Sequence, residues 1–217
     1  MNRCASHPPA SKRTALGLLL AFIAIWGLLA IRPWYREDWL LENVIVFLAV
    51  PGLVLGYFRR PLSTVSYVMI FLFLALHEIG AHYTYAEVPY DSWWTFLTGH
   101  SFNASVGWER NHFDRLLHLL FGVLITYPLR ELLIRTSSIQ VKGGWSYVIP
   151  VLMVMSGSMC YEMIEWGAAT VFGGDLGMAY LGTQGDVWDA HKDMACAILG
   201  AVSSMLLLAA IRPAYRP

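Results

Sequence analysis

The stretch 182–211, GTQGDVWDAHKDMACAILGAVSSMLLLAAI, decides the fold. Its second part, 194–211, runs eighteen residues without a charge, close to the roughly 20 needed to cross about 30 Å of hydrocarbon. Its first part crowds Asp186, Asp189, His191, Lys192 and Asp193 against that run. A membrane helix that opens on three carboxylates needs compensating positive charge, so the stretch raises fold and function together.

Five further runs have the same character, near 14–31, 40–58, 65–84, 114–134 and 145–170. With 57% hydrophobic and 14% charged residues, and mean hydropathy +0.50, the composition lies outside that of soluble domains. The expected fold is an all-α polytopic bundle of six transmembrane helices forming one membrane domain over 1–217. The first run follows Arg3, Lys12 and Arg13 but exceeds a signal-peptide core and lacks a small-residue cleavage site, so it reads as a retained anchor. A net charge of zero with no basic block excludes nucleic acid as a partner; the partner is the lipid bilayer. Cys4, Cys160 and Cys196 show no CxxC spacing and read as small apolar fillers.

Lysine and arginine favour cytoplasmic connections. Arg3, Lys12, Arg13, Arg59, Arg60, Arg135, Lys142, Arg212 and Arg216 fall on one side, against Arg32, Arg36, Arg110, Arg115 and Lys192 on the other. Both termini are therefore expected in the cytoplasm. The long segment 84–111 lies outside, and its DSWWTFL (91–97) has the aromatic content of a surface-lying piece.

This orientation brings the polar motifs to one face. HEIGAHYTYAEVP carries His77, Glu78 and His82; RNHFDRLLH carries His112, Asp114, Arg115 and His118; YEMIEW carries Tyr161, Glu162 and Glu165; the final helix opens on Asp186, Asp189 and Asp193. His77 lies some six residues inside its helix, roughly 9 Å deep at 1.5 Å per residue, too deep for a short side chain to reach the headgroups. Spacings of three and four give each helix one polar stripe. Seven acids, Glu78, Asp114, Glu162, Glu165, Asp186, Asp189 and Asp193, face only Arg115 and Lys192.

Three readings follow. In the first, a divalent metal, Zn, Mn or Mg, sits on Asp114, His118, Glu162 and Asp189, with His77 or Glu165 as general base. Glu78, His82, His112, Arg115, Asp186 and Asp193 complete the polar site, and the chemistry is hydrolysis or group transfer on a lipid or envelope substrate. In the second, the stripe is a cation or proton site for binding or transport, which requires a polar route to the far side; the inner helix halves are apolar. In the third, Arg110, Arg115 and Lys192 close a purely structural network. No HExxH, DxDxDG or GxSxG motif favours a named reaction. Ser156 and Ser158 read as packing residues beside Gly157, Arg130 and Glu131 as interfacial, and Glu42 as a solvated helix start.

These motifs resemble the YjdF-like family of bacterial inner-membrane proteins over most of the chain, with His191 standing where that pattern has Gln. The resemblance implies a multi-spanning inner-membrane protein. A weaker likeness is to VanZ-like membrane proteins, associated with glycopeptide resistance at the cell envelope. There Asp114 with His118, Glu162 or Glu165, and Asp189 with Asp193 and Gly200 match in order.

Overall fold

The structure, a computed structural model, describes residues 8–137, 141, 143–174, 177 and 181–211. Arg3, Cys4, Lys142, Arg212 and Arg216 lie outside them. Among the described residues there are eight named helices. They are α1 (Lys12–Leu29), α2 (Arg36–Arg59), α3 (Thr64–Tyr83), α4 (Tyr90–Thr98), α5 (Phe102–Val106), α6 (Phe113–Thr136), α7 (Trp145–Phe172) and α8 (Asp189–Ile211). Six of them, all but α4 and α5, are long and apolar enough to span a membrane.

The expected number and order of spans hold, but two helices begin earlier than their apolar runs. α2 starts at Arg36 and α8 at Asp189. The charges there continue the helix while facing protein: Asp38, Glu42, Asp189 and Asp193 are all buried. The segment 84–111 is not a bare loop, because α4 and α5 fold within it. The Asp91 carboxylate accepts from Ser101 Oγ at 2.8 Å and Asn103 N at 2.9 Å, tying the start of α4 to the start of α5. Those hydrogen bonds, first that from the Asn103 backbone, hold the Asp91 carboxyl below its usual range.

Large apolar side chains such as Leu48, Phe58 and Leu206 point outward, as lipid-facing residues do, so close packing must come from small residues. The most extensive helix pair is α6 with α8. A Cβ on Gly122 would stand 2.1 Å from the Ala197 carbonyl oxygen, and one on Gly200 2.1 Å from that of Leu119. Two backbones in contact leave no slack between Asp114 on one helix and Asp189 and Asp193 on the other.

At the opposite end of the bundle, Glu131 is buried rather than interfacial. It accepts from Ser63 N at 2.9 Å, Ser63 Oγ at 2.7 Å and Ser66 Oγ, and pairs with Arg135. The carboxylate thus closes the N-terminus of α3, whose cap is Ser63. Cys196 is half-buried, but Cys160 is exposed on the outer face of α7, which corrects its reading as an internal filler.

Candidate functional site

Starts of α2, α6 and α8 and ends of α3 and α7 meet at one end of the bundle, as the alternating chain direction requires. There the carboxylates of Asp114, Asp189 and Asp193, all buried, each present an oxygen within 4.8 Å of the others. His118, one turn beyond Asp114 on α6, places Nε2 3.7 Å from Asp114 Oδ1 and 3.3 Å from Glu162 Oε1 on α7. Its Nδ1 lies 3.3 Å from Ser158 Oγ, so Ser158 both packs and orients the imidazole.

Two arginines cover the solvent side of this group. Arg110 reaches Asp189 through Nη1 at 2.7 Å and Nη2 at 3.3 Å, and Arg115 Nη2 contacts Asp189 Oδ1 at 2.8 Å and Asp186 Oδ2 at 2.6 Å. Lys192 Nζ adds a 2.6 Å contact to Asp186. Led by the Lys192 hydrogen bond, these partners hold the Asp186 carboxyl far below its ordinary range. The pairing leaves the interior unbalanced. Among the described residues, Asp193 has only the Arg115 Nε at 3.9 Å as a cation, and Asp193 Oδ1 and Glu162 Oε1 are buried without a hydrogen bond. The 3.3 Å approach of His118 to Glu162 is close but not aligned as one.

Glu165 is also buried, within electrostatic range of Asp114, Glu162 and Glu42. His77 belongs to an adjoining network. Its Nδ1 accepts from Tyr85 Oη at 2.6 Å, and its Nε2 donates to the Glu42 carbonyl at 3.3 Å. Tyr85 folds back over α3 because Gly80 has no Cβ; one there would strike the Tyr85 ring at 2.6 Å. Burial, then the nearby Glu42 charge, pushes the Tyr85 hydroxyl up, which keeps it a proton donor.

Glu42 corrects the sequence reading. It is not a solvated helix start but is buried, and its Oε2 accepts from Tyr161 Oη at 2.5 Å, joining α2 to α7. Asp38, one turn before it, is buried too, and that i, i+4 pair of acids was the available signal.

The remaining expected residues stand apart from the centre. Glu78 is wholly buried on the α2 side next to Asn43, whose amide is committed to Trp26 and the Trp39 carbonyl. His82 Nδ1 contacts the Leu29 carbonyl of α1 at 2.7 Å. His112 sits at the rim, its ring 4.2 Å from that of Trp108; burial and then Arg115 and Arg110 hold its imidazole pKa down.

An apolar cavity of about 470 Å³ leads away from the site between α2, α3, α6 and α7. His77, Tyr85, Asp114, His118, Ser158 and Tyr161 line one end, and Arg60 lines the other.

Fold and site together define a polytopic helical membrane protein with a buried carboxylate–imidazole centre at one end. The chain belongs to the family described as Predicted membrane protein (DUF2238), whose pattern matches residues 14–214. It is 34% identical over 174 residues to Inner membrane protein YjdF of Escherichia coli (strain K12), covering 80% of this chain and 78% of that protein. No solved structure matches. Six spanning helices and an inner-membrane relative make this a multi-pass protein of the bacterial inner membrane.

Proposed function

We propose that this protein is a membrane-embedded, metal-assisted hydrolase or transferase acting on a lipid or other envelope substrate. The observation that carries the reading is the unbalanced interior: Asp114, Asp189 and Asp193 with oxygens within 4.8 Å, His118 beside them, and Asp193 Oδ1 and Glu162 Oε1 buried without a hydrogen bond. Bare buried oxygens also occur at Asp38 and Glu78, so it is the gathering of those at Asp193 and Glu162 beside Asp114 and His118 that supports the reading, each bare atom costing about 1–3 kcal/mol or more when charged.

The donor set fits a divalent ion, Zn or Mn through imidazole and carboxylate, or Mg with added water. Asp114 and Asp193 would hold it, and His118 and Glu162, which stand outside the 4.8 Å group of aspartate oxygens, would have to close in to join them. Asp189 could join only by giving up an arginine, because both its oxygens are engaged. A bound ion would supply Lewis acidity and lower the pKa of a bound water. Glu165 is the better-placed proton acceptor of the two candidates. His77 already accepts from Tyr85, so its part would be to orient that hydroxyl at the cavity end. The lysine and arginine distribution supports a periplasmic position for this end of the bundle.

Elemental analysis of the detergent-purified protein tests the reading. About one equivalent of Zn, Mn or Mg is expected, lost in Asp114→Asn and His118→Ala while helicity is kept. A wild-type protein free of stoichiometric metal after purification without chelator, and unable to bind any of the three when supplied, overturns it.

A further inference from the structure

From the cavity beside Asp114 and His118 we infer the substrate class: a lipid that inserts one hydrocarbon chain between α2, α3, α6 and α7, its head group at the acidic end. The inference rests on the reading of that end as the reacting site. On α6 the wall runs from Asp114 to Leu132, eighteen residues, or roughly 27 Å at 1.5 Å per residue. A volume of about 470 Å³ drawn out over that length makes a long slot rather than a round chamber. Such a slot has the shape of an extended hydrocarbon chain.

The polarity is graded in the way an amphiphile requires. Imidazole, carboxylate and hydroxyl groups gather at one end, and below His118 the α6 wall is Phe121, Ile125, Pro128, Leu129 and Leu132. Water or a transported ion would find few polar partners along that wall. The slot also lies at hydrocarbon depth, where the medium able to fill it is lipid. Its walls α2 and α7 are not packed against each other; Tyr161 and Glu42 join them at the polar end. A chain entering sideways between them would bring its head group to Asp114 and His118.

Gly52 and Gly56 on α2 line the slot, and a Cβ on either would meet nothing within 4 Å. Gly52→Phe therefore adds bulk at the slot wall without a Cβ clash. Gly27 on α1 has equally open space away from it and gives Gly27→Phe as the control. The probe is a single-chain phospholipid bearing a diazirine at mid-chain, photolysed with the full-length protein in nanodiscs and mapped by peptide mass spectrometry. Labelling of the cavity-facing positions of α6 and α2 is expected, reduced at least fivefold in Gly52→Phe and unchanged in Gly27→Phe. Labels confined to outward residues such as Leu48 and Leu206, or equal in all three proteins, would overturn the inference. Metal content of the same samples separates the two readings: loss of labelling with metal retained sinks the chain site alone, and labelling without metal sinks the metal centre alone.

Discussion

Gly122 on α6 and Gly200 on α8 cross backbone to backbone: a Cβ on Gly200 would lie 3.1 Å from the Gly122 Cα and 2.9 Å from Val123 N. The neighbours are main-chain atoms, which cannot rotate away, so any side chain must separate the helices. Gly200→Val is expected to cost at least the 1–3 kcal/mol typical of overpacking. It would also move Asp193, two turns earlier, away from Asp114. The apparent melting temperature in detergent should fall, and metal occupancy should fall with it. A Gly200→Val protein as stable as wild type would show that the helices do not approach this closely.

Arg115 touches Asp186, Asp189 and, more distantly, Asp193, while its own side chain is mostly covered. Removing it leaves the buried Asp189 with Arg110 alone and Asp193 with no cation within 4 Å among the described residues. Arg115→Ala should therefore destabilise by about 3 kcal/mol, the low end for breaking a buried pair. Arg115→Lys should recover little, since one ammonium cannot span Asp186 and Asp189 as the planar guanidinium does. Asp186→Asn is expected to cost less than Arg115→Ala, because Asp186 lies at the solvent side and its Lys192 partner is half exposed. Thermal unfolding of the three variants tests the ranking.

The spans were legible because eighteen or so residues without charge admit few other readings, and so were the three- and four-residue stripes that bring Asp114 and His118, and Asp189 and Asp193, onto common faces. Helix starts were not: Arg36–Trp39 and Asp189–Asp193 look polar enough to end a membrane run, and only the neighbours that bury them make them helix. Glu42 and Glu131 were misread for the same reason. Their partners are Tyr161, 119 residues away, and Ser63, 68 residues away, and a local pattern carries no trace of either. The pairing of Arg110 with Asp189 was open in the sequence as one of several compensations; the positions of α6 and α8 select it.

Tyr161 donates to Glu42 across the mouth of the cavity and joins α2 to α7. Tyr161→Phe keeps the ring and deletes the donor to a buried carboxylate. The expected cost is about 1–2 kcal/mol, given the modest worth of hydrogen bonds inside membranes and the higher value for charged acceptors. The more specific expectation is dynamic. Hydrogen exchange at 40–46 in α2 should rise in Tyr161→Phe, while exchange in α8, on the other side of the centre, stays as in wild type.

Asp91 gives a prediction outside the membrane. Its carboxylate is held below the usual range by hydrogen bonds from Asn103 N and Ser101 Oγ, so it binds protons less readily folded than unfolded. Its contribution to the α4–α5 unit is thus fully present above the ordinary carboxylate pKa of about 3.9, and is lost as pH falls through the lowered folded value. Amide exchange across 90–106, corrected for intrinsic rate, should be constant from pH 7 to pH 5 and accelerate below about pH 4. In Asp91→Asn the acceleration should disappear, with exchange faster at every pH because a neutral amide oxygen accepts less strongly than a carboxylate. A wild-type profile with no step below pH 4 would mean that this carboxylate does not hold α4 to α5.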